Sequence, residues 1–149
     1  MSHILASNKK GYFNYSISEE FEAGIILKGF EVKSIKNKEI SLDESYIKIE
    51  NNEAWVYGMN IAKWKFDGIS EEYNPIRRRK LLLKRQELKE IDLAFRLKKL
   101  QIIPLKVFLK RGKVKLKVGI GKGRKKYDKR EQLKSKEYRK NDRSSGDTW

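Results

Sequence analysis

Lys113–Arg130 reads KVKLKVGIGKGRKKYDKR and divides in two at Ile120. In its first half Val114, Leu116, Val118 and Ile120 alternate with Lys113, Lys115 and Lys117. Successive side chains of a β-strand point to opposite faces, so this spacing predicts a strand with an apolar inner face and a row of lysines outside. One strand thereby supplies both core and binding face. Beyond Ile120 the alternation stops, Gly121 and Gly123 punctuate a basic run, and the folded domain is expected to end.

Charge gathers in the same region. From Lys106 to Arg143 there are seventeen Lys or Arg and four Asp or Glu, which places thirteen of the chain's +16 net charge there. A polyanion suits such a field, because each phosphate neutralised releases condensed counterions. A solvated basic tail without a ligand is the plainer alternative; the lysine row weighs against it, since a strand fixes those charges in space.

The 149 residues and 17.6 kDa accommodate one modest core and a tail. The expected division is a flexible N-terminus over 1–8, a folded domain over 9–122, and a basic tail over 123–149 that is disordered when free. No apolar run reaches the roughly 18 residues needed to cross a bilayer, and the N-terminus lacks the basic-then-apolar pattern of a secretory signal, so a cytoplasmic protein without membrane contact is expected. The absence of cysteine removes disulfides, thiolate zinc sites and cysteine nucleophiles. The one histidine, His3, lies in a terminus expected to fray, which argues against a Ser-His-Asp hydrolase. The acidic pairs Glu19 and Glu20, Asp43 and Glu44, and Glu71 and Glu72 have no metal-ligand spacing and read as turn or solvated residues. No enzyme activity, cofactor or metal is expected.

Along the chain, Phe13, Tyr15 and Ile17 predict a strand, and a second follows over Phe21–Leu27, with Gly24 marking a bulge or bend. Gly29–Lys36 predicts a short helix. Ser45–Glu50 and Glu53–Ile61 predict two strands around a turn at Asn51 and Asn52. Trp55, Tyr57 and Met59 share a face read as core, the alternative being a stacking platform for single-stranded RNA. Residues 63–74 read as a surface loop. Asn74 and Pro75 signal a helix start, and residues 76–100 predict one long or broken helix on whose face Leu81, Leu88, Ile91 and Phe95 recur. Three consecutive leucines, Leu81 to Leu83, overfill that face, so at least one must point elsewhere. Ile103, Leu105, Val107 and Leu109 predict a strand that forms a hairpin with the lysine strand through Arg111 and Gly112. Mostly antiparallel strands with about three helices predict a small, partly open barrel of the oligonucleotide-binding kind.

Six motifs then stand in order: FEAGI at 21–25, EVKSI at 31–35, DESYIKI at 43–49, RRRKLLL at 77–83, IPLKVF at 103–108 and KGRKKYDKR at 122–130. With these the chain resembles the SsrA-binding protein family, SmpB, over residues 8 to 140. The resemblance implies an oligonucleotide-binding-type barrel that grips the tRNA-like domain of tmRNA (SsrA RNA) and delivers it to stalled ribosomes in trans-translation, as a monomer acting one-to-one with tmRNA. It implies contact with tmRNA at Glu22, Leu82 and Lys115, with Lys113 and Lys117 beside them on the lysine strand. It implies contact with ribosomal RNA near the decoding centre at Lys122, Arg124, Lys125, Lys126, Tyr127, Asp128, Lys129 and Arg130. Without the family motifs, a ribosomal or other structural RNA-binding module is the competing reading. The chain departs from the family pattern at Lys38 and at Lys99–Gln101, where glycine-containing turns are usual, and at Gly121, where alanine is more common.

Overall fold

The computed structural model describes residues 3–64 and 73–124. Twelve elements follow in order. The strands are β1 (His3–Ser7), β2 (Tyr15–Ile25), β3 (Ile40–Ser41), β4 (Tyr46–Glu50), β5 (Glu53–Tyr57), β6 (Asn60–Ile61), β7 (Arg79–Leu82), β8 (Gln101–Lys110) and β9 (Lys113–Gly123). The helices are α1 (Lys9–Asn14), α2 (Gly29–Lys36) and α3 (Arg85–Arg96). Seven strands form one antiparallel sheet in the order β1-β8-β9-β2-β7-β5-β4, and β3 pairs with β6 separately.

The lysine strand is β9, and its alternation is borne out: Val114, Leu116, Val118 and Ile120 are buried. It sits between β8 and β2, with Phe108 opposite Lys115 on one side and Gly24 opposite Lys115 on the other. β9 runs three residues past Ile120, so Lys122 still belongs to the ladder, opposite Ser16. Both expected turns are present with left-handed backbone, at Asn51 (φ 49°) and Asn52 (φ 61°) and at Arg111 (φ 53°) and Gly112 (φ 77°), the twist that closes a two-residue hairpin tightly.

The expected barrel is an open sheet in its hydrogen bonding. β4 curls back beside β8, but no ladder joins them, and a cleft of about 470 Å³ lies along this seam. The start of α1 occupies this part of β8 instead: the Asn8 N–H donates to the Leu105 carbonyl at 2.7 Å and the Asn8 amide to the Pro104 carbonyl at 2.8 Å. Pro104 itself has no N–H to offer a neighbouring strand.

Four expectations are corrected. His3–Ser7, read within a flexible lead, is strand β1, paired with β8 and burying Leu5. The two strands expected over 13–17 and 21–27 are one strand, β2, preceded by α1, and its bulge falls between Ile17 and Glu19 rather than at Gly24. The helix expected from residue 76 begins at Arg85, because Arg79–Leu82 is inserted as a strand between β2 and β5; Asn74 accepts from the Ile76 N–H at 3.1 Å in a turn, not a cap. Leu81 then points into the core at 3% exposure and Leu82 outward at 52%, which resolves the overfull leucine run. Finally, Trp55 and Tyr57 do not share the core with Met59. Ala54 and Val56 take the inner face of β5, and Gly58 (φ 73°) breaks the alternation so that Met59 turns inward alone.

Buried charge fastens this sheet to α2. Glu31 and Arg79 are both fully buried. The Glu31 carboxylate accepts from Arg79 Nε at 3.0 Å, Arg77 Nε at 3.1 Å, the Tyr73 hydroxyl at 2.8 Å and the Lys28 N–H at 2.7 Å. The last of these caps the start of α2. Burial alone would push the carboxyl up; the hydrogen bonds from Arg77, the Lys28 N–H and Arg79 outweigh it and hold it at about 2. Among the described residues, no helix is long and apolar enough to cross a membrane.

Candidate nucleic-acid interface

Glu22, Leu82 and Lys115 lie far apart in sequence and meet on the outer face of the sheet around Gly24. β2 runs between β9 and β7, so Gly24 is opposite Lys115 on one side and Leu82 on the other. Glu22, two residues earlier and therefore on the same face, is opposite Lys117. Leu82 offers an exposed apolar surface with cations two strands away, a combination that can take a phosphate and a base or sugar together.

Glu22 has a partner that the sequence did not indicate. Both of its carboxylate oxygens lie 3.2 Å from Lys110 Nζ, at the hairpin end where Lys110 is opposite Lys113. The pair borders a surface cavity of about 400 Å³ lined also by Lys106, Phe108, Arg111 and Lys117. Four cations thus surround one carboxylate. Phe108 is 4% exposed, with Lys117 Nζ 5.6 Å from its ring centre, so it is floor rather than stacking surface. Such a lining suits a phosphate, with one carboxylate able to accept a hydrogen bond.

Lys122 lies at the other end of β9, roughly 23 Å along the strand from Lys115 at a strand's usual rise, and Arg124 follows just past the strand. Lys122 is exposed, while the Arg124 N–H donates to the Asn14 carbonyl at 2.8 Å and its Nε to the Tyr15 carbonyl at 3.3 Å. The structure therefore separates these two from the Glu22 group. Lys125, Lys126, Tyr127, Asp128, Lys129 and Arg130 lie outside the described residues. Among the described residues, no three His, Cys, Asp or Glu side chains gather as they would around a metal ion.

The outer face continues past Leu82. On β5 and β7, Trp55 is opposite Lys80, and the Arg78 guanidinium lies 4.0 Å over the Trp55 ring. On β4 and β5, Tyr46 is opposite Tyr57, their rings stacked 5.2 Å apart and 7° from parallel. Lys48 Nζ sits 5.6 Å and 5.7 Å from the two ring centres. The signal for this arrangement was in the sequence: Ala54 and Val56 alternate with Trp55 and Tyr57, and the smaller pair is the one that fits inside.

The family model described as SmpB protein matches residues 5–146. An SsrA-binding protein of Fusobacterium nucleatum subsp. nucleatum is 46% identical over 140 residues, covering 93% of this chain and 93% of that protein. One of Persephonella marina is 44% identical over 137 residues, covering 92% and 90%. A solved structure described as "tmRNA-SmpB: a journey to the center of the bacterial ribosome" superimposes with a TM-score of 0.66 at 32% identity, covering 85% of this chain and 92% of that one.

Proposed function

The chain belongs to the SmpB family, and from that premise we propose that it binds the tRNA-like domain of tmRNA and brings it to stalled ribosomes in trans-translation. The observation that carries this reading is the shared rung of Leu82, Gly24 and Lys115, with Glu22 and Lys117 one step along. Lys113, Lys115 and Lys117 take phosphates, Glu22 accepts from a base or ribose donor, and Leu82 lies against an exposed base or sugar. Structured RNA is recognised by shape and by its unstacked bases, and a rigid sheet face presents both kinds of contact at fixed spacing.

Residues 9–122, together with β1, which completes their sheet, form the tmRNA-binding unit in this reading. Lys122, at the end of that unit, and Arg124 with the basic run to Arg130, within the 123–149 tail, contact ribosomal RNA near the decoding centre. The protein acts by binding alone, without a catalytic step or cofactor, as a monomer with one tmRNA, in the cytoplasm. The test is binding of the full chain to the tRNA-like domain and to an equal-length hairpin across a salt series. A preference that persists as salt rises supports shape recognition. Equal affinities falling steeply together would reduce the protein to a phosphate binder of the structural kind.

A further inference from the structure

We propose that the outer face of β4, β5 and β7 is a second RNA surface, on which Tyr46 and the Arg78 guanidinium stack unpaired bases. It rests on the reading above only in taking RNA as the ligand. Aromatic rings and guanidinium planes are the two side-chain platforms on which RNA-binding modules stack splayed bases, and both are built here. Tyr46 is covered on one side by Tyr57 yet remains 46% exposed. The Arg78 side chain, laid over Trp55, is 49% exposed.

The surrounding charge favours RNA over a protein partner. Glu50 and Glu53 are each engaged, by Arg78 and by Lys80 respectively. Lys48 hangs over both tyrosine rings and, among the described residues, is in no ion pair, so it is placed to meet the phosphate of a base stacked on Tyr46. The surface is also continuous with the Lys115 rung. β9, β2, β7, β5 and β4 are consecutive in the sheet, four interstrand steps or about 19 Å of curved face. One strand of RNA can lie across both.

Cross-strand aromatic pairs also stabilise a sheet without any ligand, so the test needs a readout that stability does not move. Trp64→Phe and Trp149→Phe in the full chain leave Trp55 as the sole tryptophan. This protein is titrated, at one ionic strength, with a ten-nucleotide oligoadenylate and with an abasic ribose-phosphate chain of equal length. Stacking predicts that the oligoadenylate changes Trp55 emission and the abasic chain does not. Tyr46→Ala should weaken oligoadenylate binding about five- to tenfold, the lower end of a lost stacked base, with Tyr46→Phe restoring it. Lys115→Ala should weaken oligoadenylate binding by no more than its one phosphate contact, with Trp55 emission still changing at saturation, which separates this face from the first. Absent binding, equal binding of the abasic chain, or binding with unchanged Trp55 emission each overturns the proposal, as would a Trp55 response to ribosomal proteins but not to RNA. Failure to bind the tRNA-like domain, by contrast, would overturn the function proposed above and leave this one standing.

Discussion

Leu82 and Lys115 stand on opposite sides of one residue without a side chain: each is opposite Gly24, one from β7 and one from β9. A Cβ at Gly24 would lie 3.4 Å from the Leu82 Cβ, the near limit of ordinary contact. Alanine therefore fits, and a branched side chain must push between its neighbours. Gly24→Ala should bind the tRNA-like domain within a few-fold of the wild type. Gly24→Val should bind at least tenfold more weakly while its thermal midpoint holds or rises, because valine is the better strand former. Wild-type affinity in Gly24→Val would remove this rung from the interface.

Leu82 and Lys115 should fail differently. Lys115→Ala removes one phosphate contact, so the slope of log affinity against log salt should fall by about one. Leu82→Ala removes apolar contact and should weaken binding equally at every salt concentration, leaving the slope alone. At 52% exposure Leu82 contributes little to folding, and its truncation should change stability by within about 0.5 kcal/mol, the usual range for surface sites. Identical slopes for both variants would contradict the assigned roles.

The lysine strand and its hairpin were legible because a period of two and a left-handed turn are local properties. β7 was not. Arg79–Leu82 is too short to show a period, lies in a stretch that reads as one basic helix, and requires a buried arginine. That burial is tolerable only because Glu31, 48 residues away, receives it; no local rule supplies such a partner. β1 was hidden for a similar reason, since His3–Ser7 buries only Leu5 and exists by pairing with β8. Within the site, periodicity identified the lysines, while Glu22 and Leu82 came from the family resemblance alone. Two of the departures kept their backbone. Lys38 (φ 61°) and Lys99 (φ 53°) hold the left-handed conformation that glycine normally supplies, and at Lys38 the N–H donates to the Ile35 carbonyl at 2.9 Å to finish α2 as a glycine would.

Gly121 is the departure with a steric consequence. A Cβ there would fall 2.3 Å from the Ser16 carbonyl oxygen and 3.0 Å from the Ile17 Cα, both backbone atoms of the strand paired with it. Alanine, the residue expected there from the family resemblance, cannot enter without moving β2 away from β9 next to the bulge at Ile17. Gly121→Ala should lower unfolding free energy by about 1–3 kcal/mol, the cost of overfilling a close contact, read from the denaturant midpoint. An unchanged midpoint would show that the bulge absorbs the methyl group.

Arg124 is held to the junction of α1 and β2 by the Asn14 and Tyr15 carbonyls, so the chain can be cut just beyond it without disturbing a described contact. Truncation after Lys126 should keep the thermal midpoint and the affinity for the tRNA-like domain within error of the full chain, while tagging on stalled ribosomes in a reconstituted translation reaction is lost. Loss of RNA affinity instead would mean that the tail, and not the sheet, carries tmRNA.

Glu31 gives the fold an acid limit. Its carboxyl is held at about 2, against an ordinary value of 4.5. A depressed folded value means that the stabilisation is complete above the unfolded value and disappears as pH falls from about 4.5 through about 2. At one pKa unit per 1.36 kcal/mol, the loss is about 3 kcal/mol. Glu31→Gln removes the titration and should flatten that part of the stability profile. It also leaves Arg79 buried without its counter-charge, so at neutral pH the variant should be about 3–5 kcal/mol less stable. Replacing Arg79 together with Glu31, by methionine and leucine, should recover part of this loss, since it strands no fully buried charge and leaves only Arg77, whose side chain is 27% exposed, without its partner. Chemical denaturation of the three proteins between pH 2 and pH 7 measures both effects. An acid limb retained in Glu31→Gln would assign the titration to another carboxylate.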